Sequence, residues 1–167
     1  METIIKKYRI ENNRNTMMKE FVTYIHEIKS QVKLQEMLGS YIQHGKTSVY
    51  THSRNVAYFS YKIAKFCERK LGIKINYDVL IVGAMFHDFF LYDWHDSETC
   101  PKLHGFKHPA IASENAQKYY DISNKEKLII ETHMWPLTIT KIPKSIEAII
   151  VCIADKICSA RETIHRF

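Results

Sequence analysis

The chain contains little glycine and proline, with five and four residues in 167. Because both residues interrupt regular structure, their scarcity favours long helices. Apolar residues make up 46% of the chain and charged residues 25%. This is the composition of an ordinary globular protein tilted towards helix. The length suits one domain that can bury a substantial core.

Cysteine is scarce too, and the four residues form no CxxC pair and follow no spacing of secreted scaffolds: Cys67, Cys100, Cys152 and Cys158. We expect free thiols in a reducing cytoplasm, buried where they fall in apolar helices, as three of them do. No apolar run of about 18 residues and no signal segment is present, so neither a membrane span nor export is indicated. The formal charge is +6, but the sequence contains no basic run of the kind that binds nucleic-acid polymers or anionic membranes.

Apolar residues recur at helical spacing along most of the chain, and no segment alternates as a strand does. The pattern predicts helices at about residues 16–38 (closed by Gly39), 49–70 (ending at Gly72), 76–88, 109–120, from 123 onward, and from about 145 to 162. Residues 41–48 are expected to form a connection, and the Ser123–Glu126 segment is a capping-box pattern. The predicted fold class is therefore all-α.

Two of these helices carry polar residues on apolar faces. In the second helix one stripe is predicted to face the core: His52, Val56, Phe59, Ile63 and Phe66. The last helix is apolar all round in its middle, which is typical of a central buried helix, and it contains Asp155.

The segment from Ile81 to Asp96 begins as an apolar run and ends in a dense group of imidazoles and carboxylates. Residues 79–86 are typical of a buried helix, so His87 and Asp88 stand where a buried helix ends. A buried carboxylate costs several kcal/mol unless a cation or hydrogen bonds compensate it. A metal ion is the simplest compensation that accounts for both residues.

Six polar residues share this predicted burial: His52, His87, Asp88, His108, His133 and Asp155. Singly, a core histidine is more often hydrogen-bonded than metal-bound, and an isolated buried aspartate usually caps a helix or meets an arginine. Together, four imidazoles and two carboxylates are the right count for two divalent metal ions that share one carboxylate. A set of N and O ligands without cysteine suits Fe or Mn, with Mg, Ni, Co or Zn as other candidates.

The order His…His-Asp…His…His…Asp resembles the HD-domain metal-dependent phosphohydrolases, in the variant with two additional histidines before the last aspartate. The resemblance covers roughly residues 47–162. The segments around His52, His108 and His133 are similar to those of small stand-alone bacterial members. It implies an HD-domain-like bundle of about six or more helices. Residues 47–167 would form the HD domain, and residues 1–46 a helical extension packed on it.

By position, the resemblance implies that His52, His87, Asp88 and Asp155 hold a first metal ion. Asp88 would bridge to a second ion held by His108 and His133. A hydroxide shared by the two ions would hydrolyse a phosphoester or phosphoanhydride bond in a small phosphorylated substrate, expected to be a nucleotide. Met134 follows His133 where the cyclic-di-GMP phosphodiesterases carry a Gly-Tyr-Pro signature, so that substrate is not indicated.

Other polar residues have candidate roles. Three cations are candidates for contacting a substrate phosphate: Lys156, Arg161 and Arg54. The candidate catalytic residues are Asp88, His95 and Lys156. Asp93 and His95 could orient a ligand or give a proton to a leaving group. Asp93 and His95 could equally be loop residues without a role.

Several ring-bearing residues leave alternatives open. His104 could replace His108 as a ligand, although His108, fixed by Pro109, is preferred. Trp94 and Trp135 could stack on a base or belong to the core. Three further histidines are predicted at the surface: His26, His44 and His165.

Two functions other than hydrolysis remain open. One is a di-iron HD-type enzyme that activates oxygen, and the other is a metal-stabilised module that binds a nucleotide or a partner without turnover. The oligomeric state is also open, because the N-terminal amphipathic helix could pack on the core or form a dimer. Core packing is the preferred interpretation.

Overall fold

The structure, a computed structural model, describes residues 15–28 and 33–164. In chain order its elements are α1 (residues 15–28), α2 (Leu34–Leu38), β1 (Ile42–His44), β2 (Thr47–Ser48), α3 (Val49–Leu71), α4 (Tyr77–Phe86), α5 (His104–Tyr120), α6 (Asn124–Thr132) and α7 (Ile146–Ile164). The described chain is a bundle of helices with one small hairpin. The predicted all-α class is therefore confirmed.

The N-terminal region differs from the single predicted helix, because Lys33 is not helical and separates α1 from α2. In one continuous helix Leu34 would point about 120° away from Ile28. The interruption allows both side chains to enter the core, where Ile28 is 2% exposed and Leu34 is fully buried. Val32, part of the predicted helix, lies outside the described residues.

Residues 41–48 form an antiparallel hairpin where only a connection was expected. Ile42 pairs with Ser48 and His44 with Thr47. Gly45 opens the turn with a positive φ of 59°, a conformation that glycine adopts without steric cost. Strands this short carry no alternation that a sequence pattern can detect. The hairpin places Gln43 in the interior, at 8% exposure.

Helix α3 has the predicted ends, since Ser48 caps its first turn and Gly72 ends it in the left-handed conformation. Its predicted core stripe is wrong in the second half, where Phe66 is 53% exposed. The buried face there carries Ser60, Tyr61 and Ala64 instead. Phe59 and Ile63 of the predicted stripe are half-buried.

The central buried helix is α4, in which every residue from Val79 to Phe86 is buried. The prediction that α7 is buried all round is wrong. Ile149, Ile153 and Ile157 are 40%, 46% and 38% exposed, and their four-residue spacing places them on one face, away from the core. Only the opposite face of α7 packs against α3, α4 and α6.

Helix α5 begins at His104, five residues before the predicted start at Pro109. Leu103 precedes it in the left-handed conformation, with a φ of 63°. The proline lies inside the helix, where it removes only the hydrogen bond to the carbonyl of Gly105. The earlier start places His104 and His108 one turn apart on the same face. Helix α6 has both bonds of the predicted capping box.

All four cysteines are free thiols, as predicted. Cys152 and Cys158 are buried, but Cys67, also expected to be buried, is only half-buried. Among the described helices, none has the length and apolar character that crossing a bilayer requires.

Candidate metal centre

The six polar residues singled out in the sequence lie together in the interior. Helices α3, α5 and α7 carry His52, His108 and Asp155, while His87 and Asp88 directly follow α4 and His133 directly follows α6. All six are between 0% and 7% exposed. Five helices therefore contribute polar side chains to one buried cluster.

Asp88 is at the middle of the cluster, and its two oxygens face different pairs of histidines. Oδ2 lies 3.3 Å from Nε2 of His87 and 3.7 Å from Nε2 of His52. Oδ1 lies 3.2 Å from Nε2 of His108 and 3.6 Å from Nε2 of His133. The ligand atoms form two groups that could each hold a metal ion, and Asp88 belongs to both. This is the geometry of a bridging carboxylate.

Asp155 completes the first of these groups. Its Oδ1 lies 3.2 Å from Nε2 of His52 and 3.6 Å from Nε2 of His87. Ser159, one turn later in α7, donates its hydroxyl to the same oxygen at 3.2 Å. Two carboxylates and two imidazoles thus converge on one side of the cluster.

Three of the histidines are oriented by backbone carbonyls. Nδ1 of His87 donates to the carbonyl of Ala84 at 2.7 Å, and Nδ1 of His133 donates to that of Ile130 at the same distance. Nδ1 of His108 donates to the carbonyl of His104 at 3.1 Å. Because a carbonyl only accepts, each Nδ1 carries a proton, and Nε2 is the ring nitrogen that faces Asp88. Metal-binding histidines are held in this way.

The Nε2 atoms are arranged as ligands of a cation would be. Nε2 of His87 is buried and has no hydrogen-bond partner among the described residues. Nε2 of His108 lies 2.9 Å from Nε2 of His133, close enough for both nitrogens to bind one cation. A second cation beside His52 and His87 would satisfy the buried Nε2 of His87. The donor set therefore fits divalent metal ions.

The protonation states of Asp88 and His133 agree with this role. Burial alone would raise the pKa of Asp88, but the charge of His87 and the hydrogen bond from His108 hold that pKa well below its ordinary value. Burial, with the charges of His108 and His87, lowers the pKa of His133 to about 3. At neutral pH the carboxylate is therefore ionised and the His133 ring neutral, so both are electron-pair donors.

Burial alone would lower the pKa of the His52 and His87 rings, but hydrogen bonds to Asp155 and Glu162 raise the pKa of His52 to about 9, and the charge of Asp88 raises that of His87 well above its ordinary value. A metal ion at these two rings would therefore displace their protons.

Glu162, near the end of α7, orients His52 and was missed in the sequence. Its Oε2 lies 2.7 Å from Nδ1 of His52, and its Oε1 accepts from Nδ2 of Asn55 at 2.9 Å. This contact leaves Nε2 of His52 free to face the carboxylates. One face of α7 carries Asp155, Ser159 and Glu162, which are spaced four and three residues apart. Helical periodicity counted from Asp155 could therefore have identified Glu162.

Gln43 in the hairpin is a second residue that the sequence did not reveal. Its Nε2 donates to Oδ2 of Asp88 at 2.6 Å, and its buried Oε1 has no partner among the described residues. No sequence signal marks it, because a three-residue strand has no measurable periodicity.

A cavity of about 660 Å³ opens beside the cluster. Asp88, His108 and His133 form its polar wall, and Trp94 and Leu137 contribute to an apolar one. His44 also lines this cavity, half-buried, with its ring centroid 5.7 Å from that of His52. The prediction of His44 as a surface residue is therefore wrong, because the hairpin carries it inward. His26 is exposed as predicted, and His165 lies outside the described residues.

His104 lies behind His108. Its ring stacks between Trp94, at 5.3 Å and 10°, and His108, at 4.6 Å and 19°. Nδ1 of His104 lies 2.9 Å from the hydroxyl of Tyr92. Burial, together with the charge of His108, lowers the pKa of His104 to about 4. Of the two alternatives in the sequence, His108 is the one adjoining Asp88.

The remaining sequence candidates are not all near the cluster. Lys156 lines the cavity, and its Nζ donates to the carbonyls of His133 at 2.9 Å and of Cys152 at 3.3 Å. Asp93 and His95 are exposed and contact each other, with Nδ1 of His95 3.2 Å from the carboxylate. The structure does not bring them to the cluster.

Three further candidates also lie elsewhere. Arg161 lines a different cavity. Arg54 is exposed on α3 and lines neither cavity. Trp135 is 39% exposed and also lies outside the lining of the cavity beside the cluster, so only Trp94 of the two tryptophans adjoins it.

Comparison with known proteins agrees with this geometry. The model of one protein family, described as the HD domain, matches residues 49–160, more than half of the chain. No curated protein matches the chain, and no solved structure does. The matched segment includes all six residues of the cluster, and the family predicted from their order is confirmed. The chain belongs to the HD-domain family, a superfamily of metal-dependent phosphohydrolases.

Proposed function

We propose that the chain hydrolyses a phosphoester or phosphoanhydride bond of a small phosphorylated molecule, using two divalent metal ions that share Asp88. The observation that carries the proposal is the arrangement of Asp88, whose two oxygens face two separate pairs of histidine nitrogens. A site for a single ion would need only one of these pairs. His52, His87 and Asp155 would hold the first ion, and His108 and His133 the second.

When bound, such a pair of ions lowers the pKa of water and neutralises charge on a phosphoryl group. The protein's own part is to hold six ligands in fixed orientations. Backbone carbonyls and Glu162 fix the imidazole rings, and Gln43 fixes the carboxylate of Asp88. The absence of thiolate from the ligand set favours Fe or Mn.

We propose a nucleotide as the substrate, on the basis of the cavity beside the cluster. Its volume of about 660 Å³ is in the range of small-molecule sites. Trp94, Pro136 and Leu137 offer an apolar surface for a base. Lys156 is the one lysine or arginine among the described lining residues, so a substrate with few phosphate groups suits the cavity best.

The first test is the metal content of the protein purified without chelator. We expect about two Fe or Mn ions per wild-type chain and the loss of both ions in Asp88→Asn, because this carboxylate belongs to both groups. The matched control is Asp78→Asn, an exposed aspartate in the first turn of the same α4 helix, which should keep the wild-type metal content. One ion in the replete wild type, or two ions in Asp88→Asn, would contradict the shared carboxylate.

The second test is a hydrolysis screen of metal-replete protein with nucleoside mono-, di- and triphosphates. We expect release of phosphate or nucleoside phosphate by the wild type and none by Asp88→Asn. Running the screen with and without oxygen separates hydrolysis from oxygen-dependent chemistry. Product formation only with oxygen would favour a di-iron oxygen-activating enzyme, and nucleotide binding without turnover would favour a binding module. Either result would overturn the proposal.

A further inference from the structure

A second and larger cavity lies beside the turn of the hairpin. It has a volume of about 820 Å³ and is bounded by the hairpin turn, by α3 and by the last turns of α7. We call it the basic cleft, defined by Lys46, Tyr58, Phe59, Lys62, Arg161 and Glu162. Among the described residues, none lines both this cleft and the cavity beside the metal cluster. It is therefore a separate site and not an extension of that cavity.

The basic cleft has an excess of positive charge. Lys46, Lys62 and Arg161 each come from a different element and are exposed. None of them takes part in an ion pair formed by the described residues. The one carboxylate of the cleft, Glu162, is already engaged by His52 and Asn55. Three cations and one carboxylate thus surround this space, and the described lining residues carry a net charge of +2.

The same cleft contains an aromatic surface. Nζ of Lys62 lies 5.7 Å from the ring centroid of Tyr58 and 5.8 Å from that of Phe59. Both rings are half-buried and remain accessible on the cleft side. A flat aromatic group of a ligand could stack there, as bases stack on aromatic side chains in nucleotide-binding proteins.

We propose that the basic cleft is a second ligand site, which binds an organic polyphosphate carrying an aromatic ring, the chemistry of a nucleoside di- or triphosphate. The three cations match the charge of the phosphate groups, the two rings match the base, and the volume accommodates both parts. The occupant is the enzyme's own substrate held at a second position or a separate effector, since both share this chemistry.

The position of Glu162 gives the site a connection to the metal centre. Glu162 lines the cleft and, through its other face, hydrogen-bonds Nδ1 of His52. A ligand in the cleft lies beside the carboxylate that orients a residue of the metal cluster. Occupancy of the cleft and metal binding at His52 are therefore coupled through one hydrogen bond.

The test is calorimetric titration of ADP and ATP in buffer with excess chelator, against the wild type and Asp88→Asn. We expect the two proteins to bind with equal affinity, because the cleft does not include Asp88. Adenosine and inorganic phosphate, which each satisfy only half of the site, should bind at least ten-fold more weakly. Lys62→Gln and Arg161→Gln should each weaken ADP binding about ten- to a hundred-fold, as expected for the loss of a hydrogen bond to a charged group.

The matched control is Lys118→Gln on α5, because Nζ of Lys118 also lies over an aromatic ring, 5.3 Å from the centroid of Tyr119, but outside the cleft. It should bind ADP as the wild type does. Affinity that is unchanged in Lys62→Gln and Arg161→Gln, or no binding of either nucleotide, would overturn the proposal. Binding lost in Asp88→Asn but retained by the chelated wild type would place the ligand at the metal centre instead, which also overturns it.

A further experiment distinguishes a substrate in the basic cleft from a separate effector. Metal-replete wild type is incubated with the nucleotide that bound in chelator. Hydrolysis of that nucleotide, slowed in Arg161→Gln, identifies a substrate, and recovery of intact nucleotide identifies an effector. Because the binding experiment is done without metal, its result stands or falls independently of the proposed hydrolytic activity.

Discussion

At the scale of single residues, Asp88 concentrates the interactions of the cluster. Four imidazole nitrogens lie within 3.7 Å of its two oxygens, and the amide of Gln43 lies 2.6 Å from Oδ2. The side chain is almost completely buried. Burial raises the pKa of such a carboxylate, but the charge of His87 and the hydrogen bond from His108 keep Asp88 ionised. A substitution of Asp88 therefore affects both groups of ligands in the metal centre.

Glu162 gives the sharpest prediction at this scale. Glu162→Gln keeps the size of the side chain but removes the charge that holds Nδ1 of His52. We expect metal affinity to fall about 10- to 100-fold, as for other groups that orient metal-binding histidines, while the thermal stability of the chelated protein changes little. Equilibrium dialysis against Mn²⁺ measures the affinity.

The control for this substitution is Glu114→Gln, because Glu114 is an exposed glutamate on α5. It should bind Mn²⁺ as tightly as the wild type. Wild-type affinity in Glu162→Gln would show that the hydrogen bond to His52 has no part in metal binding, and Glu162 would then be only a wall of the basic cleft.

At the scale of elements, the packing of α4 against α6 positions both Asp88 and His133. Gly83 of α4 lies directly against Ile129 of α6. A Cβ added at Gly83 would come within 2.7 Å of Cγ2 and 2.9 Å of Cδ1 of Ile129. This close approach is why the two helix ends, which carry His87, Asp88 and His133, can meet.

Gly83→Ala should separate these helices. Overpacking of a buried contact costs about 1–3 kcal/mol, so we expect a lower free energy of unfolding and, because His133 moves away from Asp88, weaker metal binding. Urea denaturation followed by circular dichroism measures the first effect, and equilibrium dialysis measures the second.

Ile129→Ala supplies the control for this clash, since it removes the atoms that the added Cβ would meet. The double variant should be less destabilised than the sum of the two single variants, by about 0.5–3 kcal/mol. Strict additivity would mean that the added methyl group is accommodated elsewhere and that the Gly83–Ile129 contact does not set the spacing of α4 and α6.

At the scale of the whole molecule, five helices contribute residues to the candidate metal centre. Each of α3, α5 and α7 contributes a ligand from within the helix, and α4 and α6 contribute theirs from the residues just after their ends. Metal ions held there would connect elements that are far apart in sequence, and the complete ligand set exists only in the folded chain. Metal binding should therefore stabilise the whole fold.

Chelation should lower the melting temperature accordingly. A ligand present at 1,000 times its dissociation constant contributes about 4 kcal/mol, and for a chain of this size 1 kcal/mol corresponds to about 2–4 °C. We expect a fall of about 10 °C on removal of metal, reversed by adding Mn²⁺. Differential scanning fluorimetry measures the shift. Asp88→Asn should melt at the same temperature with and without metal, and an equal shift in that variant would mean that the ions stabilise the protein from another site.

The sequence by itself determined the all-α class, the ends of α3, the capping box of α6 and the burial of α4, because these features depend on local periodicity and on capping residues. It also determined which six polar residues lie inside, since His52, His87, Asp88, His108, His133 and Asp155 stand on apolar faces or ends of helices. Their order was sufficient to predict the family.

Only the tertiary structure decided how these residues meet, because the distances between them depend on the packing of helices far apart in the chain. It decided that the second half of α3 and one face of α7 turn outward, that His104 lies behind His108, and that His95 remains on the surface. It also brought Gln43 and His44 inward through a hairpin that is too short to leave a periodic pattern. The contact between Glu162 and His52 joins residues that are 110 positions apart in the chain. The separate periodicities of α3 and α7 do not predict it.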